Sequence, residues 1–310
     1  MRIIFFGTPD FAVPTLRALQ ESSEKVVTAV TQPDRVKGRG HKLSQPPVKE
    51  YALSKGIPVL QPSTIRSSEF FNTLRALRPD MIVVVAYGRI IPSQILSLPP
   101  QGCINVHASL LPKYRGAAPI QWAIVRGETE TGVTTMLMDE GLDTGDILLV
   151  EKTEIPPEDN ALTLGTRLSE KGAGLLITTI RGIESGTVGP IPQSGEPTYA
   201  PIIKKDDGRI DWSLPALEIF NLVRGMYPWP GAFCDLRGER ITIIKTMVID
   251  HTTEGAPGRI VKIAGNEMHV AAGEGALSIV EVKPEGKKIM TGAAFAHGRH
   301  LREGMAFEHQ

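Results

Sequence analysis

The chain has 310 residues, 41% of them hydrophobic and 22% charged, enough for one large globular domain or two of ordinary size. Its 34 Lys/Arg balance 34 Asp/Glu, so no bulk charge draws it to nucleic acid and any such contact has to be local. The longest strongly apolar run, Met81–Ala86, falls far short of the roughly 20 residues of a membrane-spanning helix, which excludes that class.

Taken in chain order, the short apolar runs at 2–6, 26–31, 81–86 and 103–106 read as strands buried on both faces. Amphipathic stretches at 11–21, 47–55 and 67–77 read as helices between them. Asp10 is placed to cap the first, Gly56-Ile57-Pro58 ends the second and Pro79 the third. This alternation predicts an α/β domain over 1–188, with an open, mostly parallel, Rossmann-like sheet and right-handed crossovers. Strands at 132–138 and 146–155 and a long helix at 162–184 complete it. Gly, Pro and Ser then thicken through SGTVGPIPQSGEPTYAP, so residues 189–207 read as a linker. Beyond a helix at 214–226 come AFCDL, ITIIKTMVI, GRIVKIA, MHVAA and ALSIVEV, joined by turn pairs such as Arg237-Gly238 and Gly265-Asn266. They predict a small, OB-like β-barrel over 208–310. Only Cys103 and Cys234 are present, which supports neither a disulfide framework nor a zinc cluster. With a strand starting at Arg2, no targeting segment is expected, and the location expected is cytoplasmic.

Ligands of open parallel sheets bind beyond the carboxyl ends of the strands, and three strand ends here carry polar groups. Gly7-Thr8-Pro9-Asp10 stands where a dinucleotide turn would, but lacks its second and third glycines and reads as a tight strand-to-helix turn. In Cys103-Ile104-Asn105-Val106-His107, strand alternation puts Asn105 and His107 on one face. Burying both without partners costs about 2 kcal/mol or more each. Either they satisfy nearby loop backbone, or they form a donor pair aimed at one oxygen that gains negative charge. The third strand end, Asp139-Glu140-Gly141-Leu142-Asp143-Thr144-Gly145-Asp146, lacks the spacing of a calcium loop, and no metal is expected. One carboxylate beside His107 would fix the imidazole tautomer or take a proton through water; Asp139, Asp143 and Asp146 are equivalent candidates. Ser109 precedes Leu110-Leu111-Pro112 and sits in no nucleophile elbow. An Asn, a His and an Asp without a nucleophile fit direct transfer between two substrates that the protein positions.

The run Asn105-x-His107-Ala108-Ser109-Leu110-Leu111-Pro112, with Asp143 in GLDTGD, resembles the signature of the folate-dependent formyltransferases. Those enzymes move a formyl group from 10-formyltetrahydrofolate to an amine. The strings SLLPKYRGAAPIQWAI, FFGTPDFA, TQPDRVKGRG, RIDWS and PWPGAF extend the resemblance over nearly the whole chain, toward members whose amine is carried by initiator methionyl-tRNA. The resemblance implies that the amine attacks the formyl carbon. Asn105 and His107 would then hold the oxygen of the tetrahedral intermediate, while Asp143 assists proton transfer. It implies further that Ser109, Leu110, Leu111 and Pro112 lie against the folate, with backbone around Gly88 and Ile90 lining the pterin pocket. Residues 34–42 carry four Lys/Arg against one Asp. On composition they form a solvated loop; by resemblance Arg39, Lys37 and Lys42 contact the acceptor end of the tRNA. The barrel is implied to hold more of the tRNA, although Lys/Arg and Asp/Glu balance from Gly208 onward. A monomer is implied. The rival reading is a relative acting on a nucleotide-linked aminosugar, from which the basic loop separates this chain.

Overall fold

The computed structural model describes residues 1–37, 42–249 and 255–308, and of Lys37 and Lys42 the backbone alone. A segment with no polar side chain has no face to offer water, and Ile3-Ile4-Phe5-Phe6 forms strand β1 (Arg2–Gly7), buried on both sides. Helix α1 (Val13–Glu21) and strand β2 (Lys25–Val30) follow, then a hairpin of β3 (Arg35–Lys37) and β4 (Lys42–Ser44). Next come α2 (Pro47–Ser54), β5 (Val59–Leu60), α3 (Ser68–Ala76) and β6 (Met81–Val85). A short helix α4 (Ser93–Leu96) leads to β7 (Cys103–His107), β8 (Arg115–Gly116) and α5 (Pro119–Val125). Strands β9 (Glu130–Leu137) and β10 (Ile147–Glu154), helix α6 (Ala161–Glu184) and β11 (Tyr199–Ala200) complete the alternating part.

The main sheet has the order β10-β9-β7-β6-β1-β2-β5. Strands β5, β2, β1, β6 and β7 are parallel, and β9 and β10 extend the sheet antiparallel beyond β7. The chain builds outward from β1 through β2 to β5, then returns to lay β6 on the other side of β1. Order therefore reverses between β1 and β6, and the crevice beyond their carboxyl ends is where such sheets take ligands. Alternate residues feed two cores: Ile3, Phe5, Met81 and Val83 pack with Leu16 and Leu19, while Ile4, Phe6, Ile82 and Val84 pack with Phe70 and Leu74.

The expected cap at Asp10 is not formed. Residues Asp10–Ala12 make a single 3-10 turn whose N-cap is Pro9, with no side-chain cap, and the helix proper starts at Val13. Pro14 lies in its first turn, where a missing N–H leaves no bond unmade.

The second part consists of α7 (Ala216–Gly225), β12 (Ala232–Leu236), β13 (Glu239–Ile249), β14 (Ile260–Ala264) and β15 (Glu267–Ala271), then β16 (Ala276–Pro284), β17 (Met290–Thr291) and α8 (Gly292–Gly298). Its antiparallel sheet runs β12-β13-β16-β15-β14, with β17 on β16. Register breaks near Lys245 in β13 and after Ile260 in β14 supply the local bends that a small barrel needs. Its core is one cluster, in which Trp212 stacks on Phe307 with ring centroids 5.4 Å apart.

By compactness the chain divides into two units, Met1–Pro119 with Glu130–Glu154 and Gly165–Ala200, and Ile120–Thr129 with Ile155–Leu164 and Pro201–Gln310. The first takes in residues 189–200 of the stretch whose composition reads as a linker. The second takes two short segments from the span that reads as the α/β domain.

Among the described residues no helix is long and apolar enough to cross a membrane. Both thiols are buried, and burial pushes Cys103 up to about 12 and Cys234 higher still. Neither cysteine is therefore expected to react with iodoacetamide in the folded protein at mildly alkaline pH, and both should react in denaturant. Labelling of folded Cys103 would mean that β7 parts from the carbonyls of Ile95 and Leu96, which the thiol now faces.

Candidate active site

At the carboxyl end of β7, Ile104 and Val106 point into the core while Asn105 and His107 take the other face. His107 is only 5% exposed. Its Nε2 lies 2.9 Å from the Tyr114 carbonyl, and because a carbonyl only accepts, Nε2 carries the hydrogen. Nδ1 is then the ring nitrogen turned toward Asp143, 3.7 Å from Oδ2. Asn105 Nδ2 donates to Asp143 Oδ1 at 3.4 Å, and the Gly116 N–H donates to Oδ2 at 2.8 Å. A strand end and two loops thus converge on one carboxylate.

Asp143 is the acidic residue that meets His107. Asp139 closes its own exposed turn, accepting from the Gly141 N–H at 3.0 Å and the Thr144 hydroxyl at 2.7 Å. Asp146 lies at the entry to β10, its carbonyl accepting from the Leu137 N–H at 2.8 Å. The backbone here is strained: Ala86, Tyr114 and Asp143 have φ of 46°, 61° and 52°, a region that costs non-glycine residues about 1 kcal/mol or more each. All three sit at or beyond carboxyl ends of strands. Gly116 is needed for a different reason, since a Cβ there would lie 2.6 Å from the Ala200 carbonyl oxygen.

For Asn105 and His107 the sequence leaves two readings, satisfied loop backbone or a pair of donors aimed at one oxygen. Tyr114 takes Nε2, so His107 can serve a ligand only through Nδ1, on the Asp143 side. Asn105 keeps its second amide N–H.

Other residues of the site were not legible. Gln193 donates from Nε2 to the carbonyls of Asp143 and Gly145, both at 2.8 Å, and its Oε1 accepts from Arg115 at 2.6 and 3.2 Å. Thr198 Oγ1 accepts from the Tyr114 N–H at 2.9 Å, and β11 pairs in parallel with β8. The strand signal was Thr198-Tyr199-Ala200, a β-branched and an aromatic residue together inside the Gly/Pro tract.

Ser109 is wholly buried, its hydroxyl donating to the Lys113 carbonyl at 2.6 Å to close the turn; Leu110 and Pro112 are half-buried and Leu111 is buried. Gly88 and Ile90 lie exposed on the loop after β6, at the switch point. That loop is tied down through the Tyr87 carbonyl, which accepts from Thr8 Oγ1 at 3.2 Å and Gln32 Nε2 at 2.9 Å. Arg39 lies outside the described residues, as do the side chains of Lys37 and Lys42. The stalk of their hairpin is anchored where Lys49 Nζ meets Asp34 at 2.8 Å and Gln61 at 2.7 Å. The hydrogen bond from Lys49 holds the Asp34 carboxyl below its usual range, with Gln61 adding to it. Among the described residues no cluster of His, Cys, Asp and Glu could hold a metal. A groove of about 1100 Å³ in the second unit, lined by Phe220, Asn221 and Thr246 among others, contains none of these groups.

The formyl transferase family model matches residues 1–180, and the model of the formyl transferase C-terminal domain matches 202–300. The chain is 55% identical over 303 residues to the methionyl-tRNA formyltransferase of Thermodesulfovibrio yellowstonii, covering 98% of this chain and 97% of that one. Among solved structures, WlaRD, a sugar 3N-formyl transferase, shares the fold at a TM-score of 0.70 and 18% identity over 93% of this chain and 99% of its own. HypX from Aquifex aeolicus does so at a TM-score of 0.66 and 17% identity over 98% of this chain, which spans about half of HypX (48%). With models matching in tandem over both units and a full-length relative above half identity, the chain belongs to the formyl transferase family.

Proposed function

We propose that the chain transfers the formyl group of 10-formyltetrahydrofolate to the amino group of methionine on initiator methionyl-tRNA, giving N-formylmethionyl-tRNA for translation initiation. The observation that carries the chemistry is the convergence of Asn105, His107 Nδ1 and Asp143 beyond β7, one strand from the switch point. The full-length likeness to a methionyl-tRNA formyltransferase supports the choice of amine. The folate is a substrate, consumed at each turnover. On this reading Gly88, Ile90 and the Ser109–Pro112 turn lie against it, supported by the loops after β6 and β7 leaving adjacent parallel strands at the same edge.

The amine nitrogen attacks the formyl carbon, and the carbonyl oxygen gains charge. The free amide N–H of Asn105 stabilises that oxygen. A proton leaves the attacking amine and must reach the departing folate nitrogen as its bond to the formyl carbon breaks. Asp143 Oδ2 and His107 Nδ1, 3.7 Å apart, hold that proton between the two events. The Nε2 bond to Tyr114 keeps the ring from turning Nδ1 away. Residues 34–42, through Lys37, Arg39 and Lys42, and the 208–310 domain hold the tRNA, and the enzyme works as a cytoplasmic monomer.

The test is incubation with 10-formyltetrahydrofolate and methionyl-tRNA, followed by release and identification of formyl-methionine. Free methionine and a nucleotide-linked aminosugar serve as controls. Formylation of the sugar but not of the tRNA would reassign the amine.

A further inference from the structure

From the bonds of the segment between α6 and β11, we infer that Gln193 is a positioning residue for the Asp143–His107 pair, an inference that rests on the catalytic reading above. Two loops bear the site, 109–118 after β7 and 139–146 between β9 and β10. Gln193 bonds both with one amide, and each of its hydrogen-bonding valences is used. Both N–H groups go to the Asp143 and Gly145 carbonyls, and the oxygen takes the Arg115 guanidinium. The carbonyls it grips are those of Asp143, which holds a φ of 52°, and of Gly145, where a Cβ would lie 1.8 Å from the Leu137 carbonyl oxygen. The grip thus falls on the strained, closely packed turn that carries the carboxylate. The αL backbone of Asp143 sets where its carboxylate points, and three donors or near neighbours depend on that direction: Asn105 Nδ2, the Gly116 N–H and His107 Nδ1.

The segment is itself fixed on either side of Gln193. Ile147 and Ile191 exchange N–H···O bonds at 2.8 Å, and the Thr198 carbonyl accepts from the Arg115 N–H at 2.8 Å. Gln193 is thus the side chain that transmits this fixed frame to the 139–146 loop. No other residue type supplies the same set. Glutamate would turn one acceptor oxygen on both carbonyls, lysine would repel Arg115, and asparagine is one methylene short.

The test measures kcat and KM for both substrates in Gln193→Ala, Gln193→Glu, Asp143→Asn and Gln193→Ala/Asp143→Asn. Loss of the grip lets the carboxylate wander by a fraction of an ångström or more, and misplacement of that order costs up to about a hundredfold in rate. The expected result is a kcat lower by about tenfold to a hundredfold in Gln193→Ala, at least as low in Gln193→Glu, with both KM values within about threefold of wild type. In the Asp143→Asn background, Gln193→Ala should cost about twofold or less, because its effect passes through a carboxylate already removed. Gln193→Glu preserves side-chain volume and the Arg115 contact, so it reports on positioning even where the alanine variant melts early. Wild-type kcat in both Gln193 variants, a rise in KM alone, or full additivity with Asp143→Asn would overturn the inference. Wild-type turnover in Asp143→Asn would instead overturn the catalytic reading, and this inference with it.

Discussion

Replacing His107 by alanine is expected to lower kcat for formyl transfer by about 10³-fold or more while changing folate affinity little. Loss of a positioned proton carrier costs roughly 10²–10⁴ in rate. Here the same change also frees the Asp143 carboxylate, whose Oδ2 now faces Nδ1 across 3.7 Å. Binding should survive because the loop after β6 is tied through Tyr87 to Thr8 and Gln32, not through His107. The variant also removes the buried bond from His107 Nε2 to the Tyr114 carbonyl, a loss that costs about 1–3 kcal/mol. Activity is therefore to be read well below the melting temperature, with folate binding measured directly by calorimetry. Turnover within tenfold of wild type would remove His107 from the mechanism. Asp143→Asn is the companion: asparagine tolerates the left-handed backbone at φ 52°, and it removes the charge and one of the two acceptors that Asn105 and the Gly116 N–H now use.

The second large effect is on stability. Arg224 of α7 donates from Nη1 to the carbonyls of Pro156 and Asp159 at 3.0 and 3.1 Å, and from Nε and Nη2 to Asn221 Oδ1 at 3.1 and 3.0 Å. Its guanidinium also lies 5.1 Å from the Phe220 ring centroid. Burial pulls its pKa down, opposed by Asp159 and Glu158, yet an arginine so placed stays charged. Arg224→Ala takes the guanidinium from the two carbonyls and from a buried Asn221 oxygen, while the Pro156 carbonyl keeps the Asp159 N–H at 3.0 Å; each buried bond lost costs about 1–3 kcal/mol before relaxation. A loss of roughly 3 kcal/mol is expected, or about 6–12 °C in Tm for a unit of this size. Arg224→Lys should recover little of it, because a compact ammonium lacks the planar fork that puts Nε and Nη2 on Asn221 while Nη1 reaches the two carbonyls. A melting temperature within a degree of wild type in Arg224→Ala would show that solvent replaces those bonds without cost.

Local composition and period were sufficient for the alternating strands and helices, because residues such as Ile3–Phe6 and Met81–Val85 have no other way to hide their side chains. Strand alternation also found Asn105 and His107. It could not give the ring orientation of His107, because that depends on a carbonyl seven residues on. Nor could it choose among three acidic residues in one loop; that choice is made by the Gly116 N–H and Asn105, which belong to other segments. The bonds of the Gly/Pro-rich stretch around Gln193 were not legible for a physical reason: a chain that bonds mainly through single side chains and two-residue ladders has no period to read. The Asp10 cap failed because Pro9 and Pro14 fix the backbone on both sides of it.

The division of the chain into interleaved units constrains how such an enzyme can be inherited. Segments Ile120–Thr129 and Ile155–Leu164 lie early in the chain yet belong with the C-terminal unit, whose Arg224 holds the second of them. No single crossover in the gene separates the halves, since any fragment ending near residue 200 carries two segments whose partners it lacks. Exchange of the C-terminal half between lineages would succeed only where those early segments had already co-varied to fit the newcomer. The two-unit body recurs as a whole within the HypX chain, whose fold matches 98% of this chain over about half of its own length.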